Sequence, residues 1–335
     1  MYIQIDWLSV NYLGNLTKTS YFTLKEEKIF SKYFKKYHIY SYNGEPVLHC
    51  LFEPCSSILD KNLIQLKIDN RYLYTTGFLD LLHIFVVENN LTFKGLSRLD
   101  LCTDFSLFHN KLKPQTFIKK FLSEHFIKKG KSKFSLRGEA NKHLEHSYLK
   151  FGTNTSDICI YLYNKSKEMR EVKNKPYISD LWNILKLNQE TDIWRLEIKI
   201  TGNTTKFIDV YNGDIHKLDV YSINSQNYLF NIYTALLYKH FTFYTNDKKI
   251  RTTDNQPLQL FDNLTSCYRQ LKFCEKQDST RGDKIFIKKL LNVYCELRDM
   301  KKDIADDYLH LANYEASRKI LQKTFDKVSY ELSIF

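Results

Sequence analysis

Short runs of alternating apolar and polar residues dominate the first 110 residues, and this pattern of period 2 predicts β-strands. The runs are MYIQIDWLSVNYL, YHIYSYN, PVLHCLFE and NLIQLKI, with turn-forming residues between them. The segment LLHIFVVENN is apolar over most of its length and predicts a helix that ends at its Asn pair. This part of the chain is therefore predicted to form mainly a sheet.

The clearest strand pattern covers residues 95–108, GLSRLDLCTDFSLF. Successive side chains of a strand point to opposite faces, so Leu99 and Leu101 fall on one predicted face. The other predicted face is polar and carries Arg98, Asp100, Cys102 and Asp104.

Lysines dominate the stretch from Lys111 to Arg137. Its first half predicts an amphipathic helix that begins after Pro114, and its second half predicts a basic loop around Gly130. The strands SYLKFGT and DICIYLYN, the helix PYISDLWNILKLN and the strand DIWRLEIKIT are predicted to follow in that order.

The pattern changes near residue 203 and becomes helical toward the end of the chain. Residues 282–300 and 304–330 carry apolar stripes at helical spacing and predict two helices. The whole pattern predicts an α+β protein with an antiparallel sheet, flanking helices and a helical C-terminal region. The change divides the chain into a domain of residues 1–205 and a mostly helical region of residues 206–335.

Composition adds a strong positive charge to this picture, because the 335-residue chain has a formal net charge of +12. Such a charge favours a polyanionic partner, most simply nucleic acid. The seven cysteines form no C-x-x-C pair, which argues against a disulfide framework and a structural zinc site. No apolar run approaches the ~20 residues of a membrane span, and no signal peptide is visible. A cytoplasmic protein without a membrane partner is predicted.

Charged residues repeat on one face of several predicted strands. Asp100 and Asp104 share a face, and so do Arg195 and Glu197 in the strand DIWRLEIKIT. Burying a bare carboxylate costs several kcal/mol, so such a face either meets water or shares a cation. Carboxylate oxygens suit Mg²⁺ or Mn²⁺ better than zinc. Both interpretations stay open here: an amphipathic sheet with a solvated polar face, or a metal site.

Tyr163 lies in ICIYLYNKSKEMR, where a predicted strand gives way to Asn164, Lys165 and Glu168. A free phenol has a pKa of ~10, so only about one in a thousand is ionised at pH 7. A cation such as Lys165 would favour the phenolate. The phenol of Tyr163 is therefore either a strand-ending aromatic or a nucleophile.

The segments LSRLDLCTDF, IYLYNKSKE and WRLEI, in this order, resemble the three signature segments of the Rep_trans family. That family comprises the replication initiators of staphylococcal-type rolling-circle plasmids and related relaxases of conjugative elements. The matching positions are Arg98, Asp100, Asp104, Tyr163, Asn164, Lys165, Glu168, Arg195 and Glu197. The N-terminal IDWLSV also resembles a strand that opens many members, which adds Asp6 to the site.

The resemblance implies a DNA-nicking and DNA-joining enzyme that initiates rolling-circle replication, with residues 1–205 as its catalytic domain. Tyr163 would attack the scissile phosphate and leave a 5′-phosphotyrosine and a free 3′-OH, with Lys165, Arg98 and Arg195 assisting the chemistry. Residues 206–335 would serve DNA specificity or dimerisation. The implied partners are origin DNA as a hairpin or single-stranded segment, a host helicase, a polymerase and a second copy of the chain.

The resemblance also implies a divalent cation, Mg²⁺ or Mn²⁺, that polarises the scissile phosphate. Its implied ligands are Asp6, Asp100, Asp104 and Glu197. Nicking enzymes that bind metal through two histidines one residue apart are disfavoured, because the chain contains no His-x-His.

Contacts to the DNA backbone are predicted from the basic stretch. The candidate residues are Lys119, Lys120, Lys128, Lys129, Lys131, Lys133 and Arg137. A solvated basic face is the alternative interpretation of this stretch.

Three alternatives accompany this prediction. Tyr161 lies two residues from Tyr163 on the same predicted face and is the rival nucleophile, although it lacks the Asn-Lys-x-x-Glu that follows Tyr163. A relaxase of a mobilisable or conjugative element would use the same chemistry in another role. A non-catalytic DNA-binding protein could keep the same scaffold.

Overall fold

A ten-stranded antiparallel sheet organises most of the chain, in the order β2-β3-β4-β5-β1-β6-β11-β10-β9-β8. Its strands are β1 (Gln4–Leu13), β2 (Thr23–Glu27), β3 (Phe34–Tyr42), β4 (Glu45–Pro54), β5 (Leu63–Ile68), β6 (Thr92–Phe105), β8 (Phe134–Glu139), β9 (Glu145–Phe151), β10 (Ile158–Asn164) and β11 (Trp194–Thr201). The smaller sheets pair β7 (Phe126–Lys128) with β14 (Phe243–Thr245), and β12 (Lys206–Asp209) with β13 (Ile215–Lys217) and β15 (Leu271–Cys274).

The computed structural model describes residues 1–17, 19–27, 31, 33–56, 59–130, 133–139, 145–153, 155–201, 206–209, 215–246, 257–261, 271–274, 286–287, 290–294 and 305–318. The chain divides into two compact units, Met1–Cys274 and Glu275–Phe335. Within the described residues, no helix combines the length and the apolar character needed to cross a membrane.

The helices are α1 (Phe78–Glu88), α2 (Pro114–Leu122), α3 (Lys165–Glu171), α4 (Pro176–Ile184), α5 (Gln226–His240) and α6 (Ala305–Arg318). Three short 3-10 turns occupy Tyr72–Tyr74, His109–Lys111 and Ser222–Asn224. Helices α1, α2 and α5 join one large apolar core with the sheet. Phe85 of α1 packs edge-to-face against Tyr40 of β3, and Phe121 of α2 packs edge-to-face against Phe151 of β9, with ring centroids 4.7 and 5.5 Å apart.

These contacts show which face of the sheet is apolar. Phe151 is paired with Ile160 in β10, and the alternate residues of β10, Tyr161 and Tyr163, point the other way. The helices therefore cover the face of Phe151, and the face of Tyr163 is the polar one. Helices α3 and α4 form a separate small core with Met169, Ile178, Trp182 and Ile193.

The predicted α+β class with an antiparallel sheet is confirmed. The helix predicted in LLHIFVVENN is α1, which is capped by Asn89 at its C-terminus, and the helix predicted after Pro114 is α2. The predicted basic loop around Gly130 is wrong in extent, because β7 and β8 enter it from both sides. Phe126 and the strand pairing with β14 draw this stretch into the core.

The boundary predicted near residue 205 falls inside the first unit, which extends to Cys274. Residues beyond 205 belong to the same core as the sheet, and the buried Tyr233 of α5 donates its hydroxyl to the carbonyl of Leu196 in β11 (2.7 Å). The change in sequence pattern near residue 203 therefore lies within the first unit, between the strands of the large sheet and the segments that complete its core.

In the second unit, residues 286–287 and 290–294 are helical, and α6 lies within the helix predicted over 304–330. Ile287, Leu290, Leu291 and Ala312 form a small apolar cluster. The remainder of the two predicted C-terminal helices lies outside the described residues.

Candidate active site on the polar face of the sheet

The three strands that carry the predicted site residues are adjacent, in the order β6-β11-β10. Arg195 is paired with Asp104 of β6 on one side and with Tyr163 of β10 on the other. Glu197 is paired with Cys102 and with Tyr161 in the same way. Because directly paired residues project to the same face, the polar residues of all three strands share one surface. Sequence spacing alone could not show that these strands are neighbours.

A β-bulge in β1 adds two side chains to this surface. The register shifts between Ile5 and Trp7, where β1 pairs with β6 at Asp100. Asp6 accepts a hydrogen bond from Arg195, and the Trp7 ring lies under the guanidinium of Arg98. Two consecutive residues thus reach the same face, which regular alternation would forbid.

Arg195 is fully buried and connects two of the predicted metal ligands. Its Nε and Nη2 donate to Oδ1 and Oδ2 of Asp104 (2.6 and 2.8 Å), and its Nη1 donates to Oδ1 of Asp6 (2.7 Å). Trp182 Nε1 also donates to Asp104 (2.7 Å), and the Tyr74 hydroxyl donates to Asp6 (2.5 Å). Burial raises the pKa of Asp6, but the charges of Arg195, Lys165 and Lys175 and the hydrogen bond from Tyr74 together outweigh it, and the net shift is downward. The protein itself therefore favours the ionised form of Asp6, and Arg195 pairs with both carboxylates.

Tyr163 donates its hydroxyl hydrogen to Oε2 of Glu197 (2.8 Å). Burial, and next the charge of Glu197, raise the pKa of Tyr163 well above its ordinary value, although Arg195 acts in the opposite direction. Burial, Asp6 and Asp100 together raise the pKa of Glu197 to about 8. The phenol is thus protonated at neutral pH and placed against a carboxyl group with unusually high proton affinity.

The ammonium group of Lys165 is directed to Glu168 rather than to the Tyr163 hydroxyl, and its effect on the phenol stays a prediction. Its Nζ lies over the Tyr163 ring, 5.5 Å from the centroid, and donates to Oε2 of Glu168 (2.6 Å). Asn164 caps α3 by accepting from the amide of Lys167 (2.8 Å). The Asn-Lys-x-x-Glu segment therefore starts a helix and locks its first turn, which fixes the end of the strand that carries Tyr163.

Asp100 is buried and forms a bidentate pair with Arg98. The Arg98 Nε lies 2.9 and 3.0 Å from the two carboxylate oxygens, and Nη2 donates to Oδ2. Burial raises the pKa of Asp100 even so, and Asp6 adds to the effect. Asp100 and Glu197 are thus the two carboxyl groups of the site that the protein stabilises least as anions.

The four predicted metal ligands do not form one ligand set in this arrangement. Among the residues that the structure describes, no group of three or more His, Cys, Asp or Glu side chains is arranged to hold a metal ion. Arg195 supplies the positive charge between Asp6 and Asp104. Asp100 and Glu197 are diagonal neighbours on β6 and β11 and fit the other pattern of Mg²⁺ binding, in which one or two carboxylates share the ion with substrate phosphate.

The predicted DNA-binding residues are divided between the two faces of the sheet. Arg137 is paired with Tyr148, and Tyr148 is paired with Tyr163, so Arg137 lies on the polar face. Lys119 and Lys120 belong to α2, on the opposite face.

Lys128, Lys129 and Lys133 do not flank Tyr163 either. Nζ of Lys128 lies over the Phe151 ring, and Nζ of Lys129 lies over the Tyr238 ring of α5. The exposed Lys133 precedes β8 and accepts the amide of Gly152 through its carbonyl (2.9 Å), and Lys131 lies outside the described residues.

Several residues of the surface were not predicted from the sequence. Trp7, Lys67, Tyr148 and Lys150 lie on the polar face beside the predicted residues. The period-2 positions of Lys67, Tyr148 and Lys150 within their own strands were visible, but which strands flank β6 and β10 was not. The bulge in β1 takes Trp7 out of the regular alternation. Trp182 could not be assigned at all, because its contact with Asp104 is made from a helix 78 residues away in the chain.

Similarity to known proteins is found among solved structures. No protein-family model matches the chain, and no curated protein matches it. Among solved structures, a rolling circle replication initiator protein from Geobacillus stearothermophilus is similar at 14% sequence identity, with a TM-score of 0.47. The match covers 82% of this chain and 99% of that chain.

Proposed function

We propose that this protein nicks and rejoins one strand of DNA at an origin of rolling-circle replication, with Tyr163 as the nucleophile. The observation that carries the proposal is the contact between the Tyr163 hydroxyl and Glu197, on a face shared with Asp100, Arg98 and Arg195. A phenol, a proton acceptor and two guanidinium groups are the components that transesterification of a phosphodiester needs.

In the proposed reaction, the Tyr163 oxygen attacks phosphorus, and the bond from phosphorus to the 3′-oxygen breaks. The Tyr163 proton passes to the ionised form of Glu197, and the departing 3′-oxygen takes a proton from solvent. The products are a 5′-phosphotyrosine and a free 3′-OH, which a polymerase can extend. A later 3′-OH reverses the step and restores the phenol, so strands are joined without another energy source.

The guanidinium groups have separate parts in this proposal. Arg98 is half-buried at the surface of the site, where its charge can offset the charge that develops on the phosphorane. Arg195 is fully buried beside Tyr163 and acts on the phenol, because its positive charge opposes the rise in the Tyr163 pKa. Lys165 and Glu168 hold the strand end in place.

Mg²⁺ or Mn²⁺ remains part of the proposal, with Asp100 and Glu197 as its ligands. Both carboxyl groups have raised pKa values, which a bound cation would reverse. When bound, the ion would polarise the scissile phosphate. Asp6 and Asp104 serve instead to hold Arg195.

The proposed partners are origin DNA, a polymerase that extends the 3′-OH and a helicase that unwinds the duplex ahead of it. A second copy of the chain is also expected from the resemblance. Neither the helicase nor the second copy is required for the nicking step itself.

The test uses a supercoiled plasmid that contains the DNA flanking the protein's own coding sequence, with Mn²⁺ or with chelator. We expect relaxed plasmid and a covalent protein–DNA adduct on a denaturing gel from the wild type and from Tyr161→Phe. Tyr163→Phe should give neither. An adduct that persists in Tyr163→Phe and disappears in Tyr161→Phe would move the nucleophile to Tyr161. Tight DNA binding without any adduct would favour a non-catalytic DNA-binding protein.

A further inference from the structure

Aromatic rings with cations over them lie on both sides of Tyr163 on the polar face. On the side of β8 and β9, the Tyr148 and Tyr161 rings are 6.2 Å apart. Arg137 lies over Tyr148 at 5.2 Å, and Lys150 lies over Tyr161 at 5.3 Å. We call these two rings with their cations the tyrosine platform.

On the side of β1 and β5, one tryptophan has the same surroundings. Nζ of Lys67 lies 3.7 Å from the Trp7 ring centroid, and the guanidinium carbon of Arg98 lies 4.2 Å from it. The indole nitrogen donates to Ser9 Oγ (2.8 Å), which fixes the ring plane. We call this group the tryptophan platform.

Positive charge is concentrated around the tryptophan platform. Burial lowers the pKa of Lys67, and Arg98 and Lys175 lower it further. Lys175 has its own pKa lowered by burial and then by Lys165. These ammonium groups repel one another in the absence of a ligand, and an anion would relieve that repulsion.

The two platforms lie on opposite sides of Tyr163, on a diagonal across the sheet. Tyr148 is paired with Tyr163, whereas Trp7 is paired with Asp100, four residues along β6 from Asp104, which is level with Tyr163. The strands between Lys67 and Arg137 are adjacent in the order β5-β1-β6-β11-β10-β9-β8. Seven strands at about 4.8 Å spacing extend over roughly 29 Å. A line of this length, with alternating rings and cations, matches a ligand that repeats a flat base and a phosphate.

We propose that unpaired DNA crosses the strands of the polar face, with bases stacked on both platforms and the phosphate to be cleaved at Tyr163. When DNA binds, the cations move from the ring faces to the phosphates, and this movement frees the faces for the bases. The ligand is single-stranded, because a ring in a sheet can stack only on a base whose face is exposed, and a duplex hides those faces. This inference rests on the proposed function, since it assigns the DNA path to the same site.

The test is the affinity of a fluorescent oligothymidylate, measured by anisotropy in the presence of chelator and with Tyr163→Phe as the background, so that no covalent bond forms. We expect the double substitution Tyr148→Leu with Tyr161→Leu to weaken binding about 10- to 100-fold, and Trp7→Leu to weaken it about 5- to 50-fold. Duplex of the same length should bind more weakly than the single strand.

A matched control is present on the helical side of the sheet. The Tyr238 ring has Lys129 over it at 5.0 Å, like the rings of the platforms, but lies on α5. Tyr238→Leu should leave the affinity unchanged. Tyr148→Phe and Tyr161→Phe keep the ring without the hydroxyl and should also retain binding, which separates loss of stacking from loss of folding.

Two results would overturn this inference: equal affinity in the platform variants and Tyr238→Leu, or duplex bound as tightly as single strand. Its failure is distinct from failure of the proposed function. An adduct at Tyr163 together with unaffected platform variants removes the DNA path only. Loss of single-strand affinity in the platform variants, with no adduct from the wild type, removes the nicking function only.

Discussion

At the scale of single residues, Arg195 determines how the carboxylates of the site are used. The sequence shows four acidic residues that could share one cation, and the structure gives two of them to a buried guanidinium. A guanidinium cannot lose its charge, so Arg195 is a permanent partner of Asp6 and Asp104. Asp100 and Glu197 are left as the pair whose negative charge needs a further partner.

This division predicts different effects of metal on two variants. Mn²⁺ should raise the melting temperature of the wild type, and Glu197→Gln should abolish that rise. Asp104→Asn should lower the melting temperature without metal, because breaking a buried ion pair costs about 3–5 kcal/mol, yet keep the rise with Mn²⁺. Thermal unfolding with Mn²⁺ and with chelator measures both effects. A rise that survives in Glu197→Gln and vanishes in Asp104→Asn would reverse the assignment.

A second prediction at this scale concerns Lys128, which burial holds at a pKa of about 8. Between pH 8 and its ordinary value, the folded state binds fewer protons than the unfolded state, so stability rises with pH. Below pH 8, the folded state bears the full cost of a charged ammonium group over the Phe151 ring. Lys128→Met should therefore stabilise the protein at pH 7 by about 1–2 kcal/mol, allowing for partial exposure.

The gain from Lys128→Met should shrink as the pH rises from 8 toward 10.5, and urea unfolding at several pH values measures it. The exposed Lys129 supplies the control, and Lys129→Met should change stability little at any pH. A gain in Lys128→Met that is independent of pH would contradict the electrostatic cause. DNA binding should be unaffected, since Lys128 lies away from the polar face.

At the scale of elements, the junction of β10 and α3 places Tyr163. Asn164 caps the helix and also donates to Asp192 (2.8 Å). Asn164→Ala should cost about 1 kcal/mol of stability and reduce the rate of adduct formation about 10-fold or more, because the nucleophile is the preceding residue. The rate is measured with a single-stranded origin oligonucleotide.

Ser225 provides the control for that prediction, because it caps α5 by accepting from the amide of Tyr228 (3.3 Å). Ser225→Ala should cost a similar amount of stability and leave the rate of adduct formation unchanged. Equal loss of rate in both variants would mean that general destabilisation, and not the position of Tyr163, causes the effect.

The elements also show what sequence patterns can and cannot predict. The strands that carry Asp100, Tyr163 and Glu197 alternate regularly, so the face of each residue was predictable. The bulge that brings Asp6 and Trp7 to one face breaks this alternation and depends on pairing with β6. Pairing between distant strands is a property of the tertiary structure, which a local pattern does not contain.

Helix α5 was missed for a different physical reason. It is buried around most of its circumference, and its buried residues include the polar Asn231 and Thr234. A helix in that position has no exposed polar stripe, so its sequence lacks the period of 3.6 that identifies a surface helix. The lysines of α2 show another limit of sequence patterns. A strong amphipathic pattern identifies the face of a helix that meets solvent, but it does not identify a face that binds DNA.

At the scale of the whole molecule, the first unit holds the complete sheet, its apolar core and every described residue of the candidate site. Residues beyond 205, including those of α5, complete that core. Fully burying one large apolar side chain contributes about 1.5–3 kcal/mol, and α5 buries Leu229, Ile232, Tyr233, Leu236 and Leu237. Together these five side chains contribute a free energy of the same size as the 5–15 kcal/mol by which a typical domain is stable.

Two truncated chains test where the folding unit ends. A chain of residues 1–274 should unfold cooperatively and form the Tyr163 adduct on a single-stranded origin oligonucleotide. A chain of residues 1–205 should lack a cooperative transition, because the face of the sheet around Leu196 loses α5 and the hydroxyl of Tyr233. Circular dichroism during heating measures the transition, and the denaturing gel measures the adduct. Cooperative unfolding of residues 1–205 would restore the boundary that the sequence pattern predicted and would make α5 dispensable for the core.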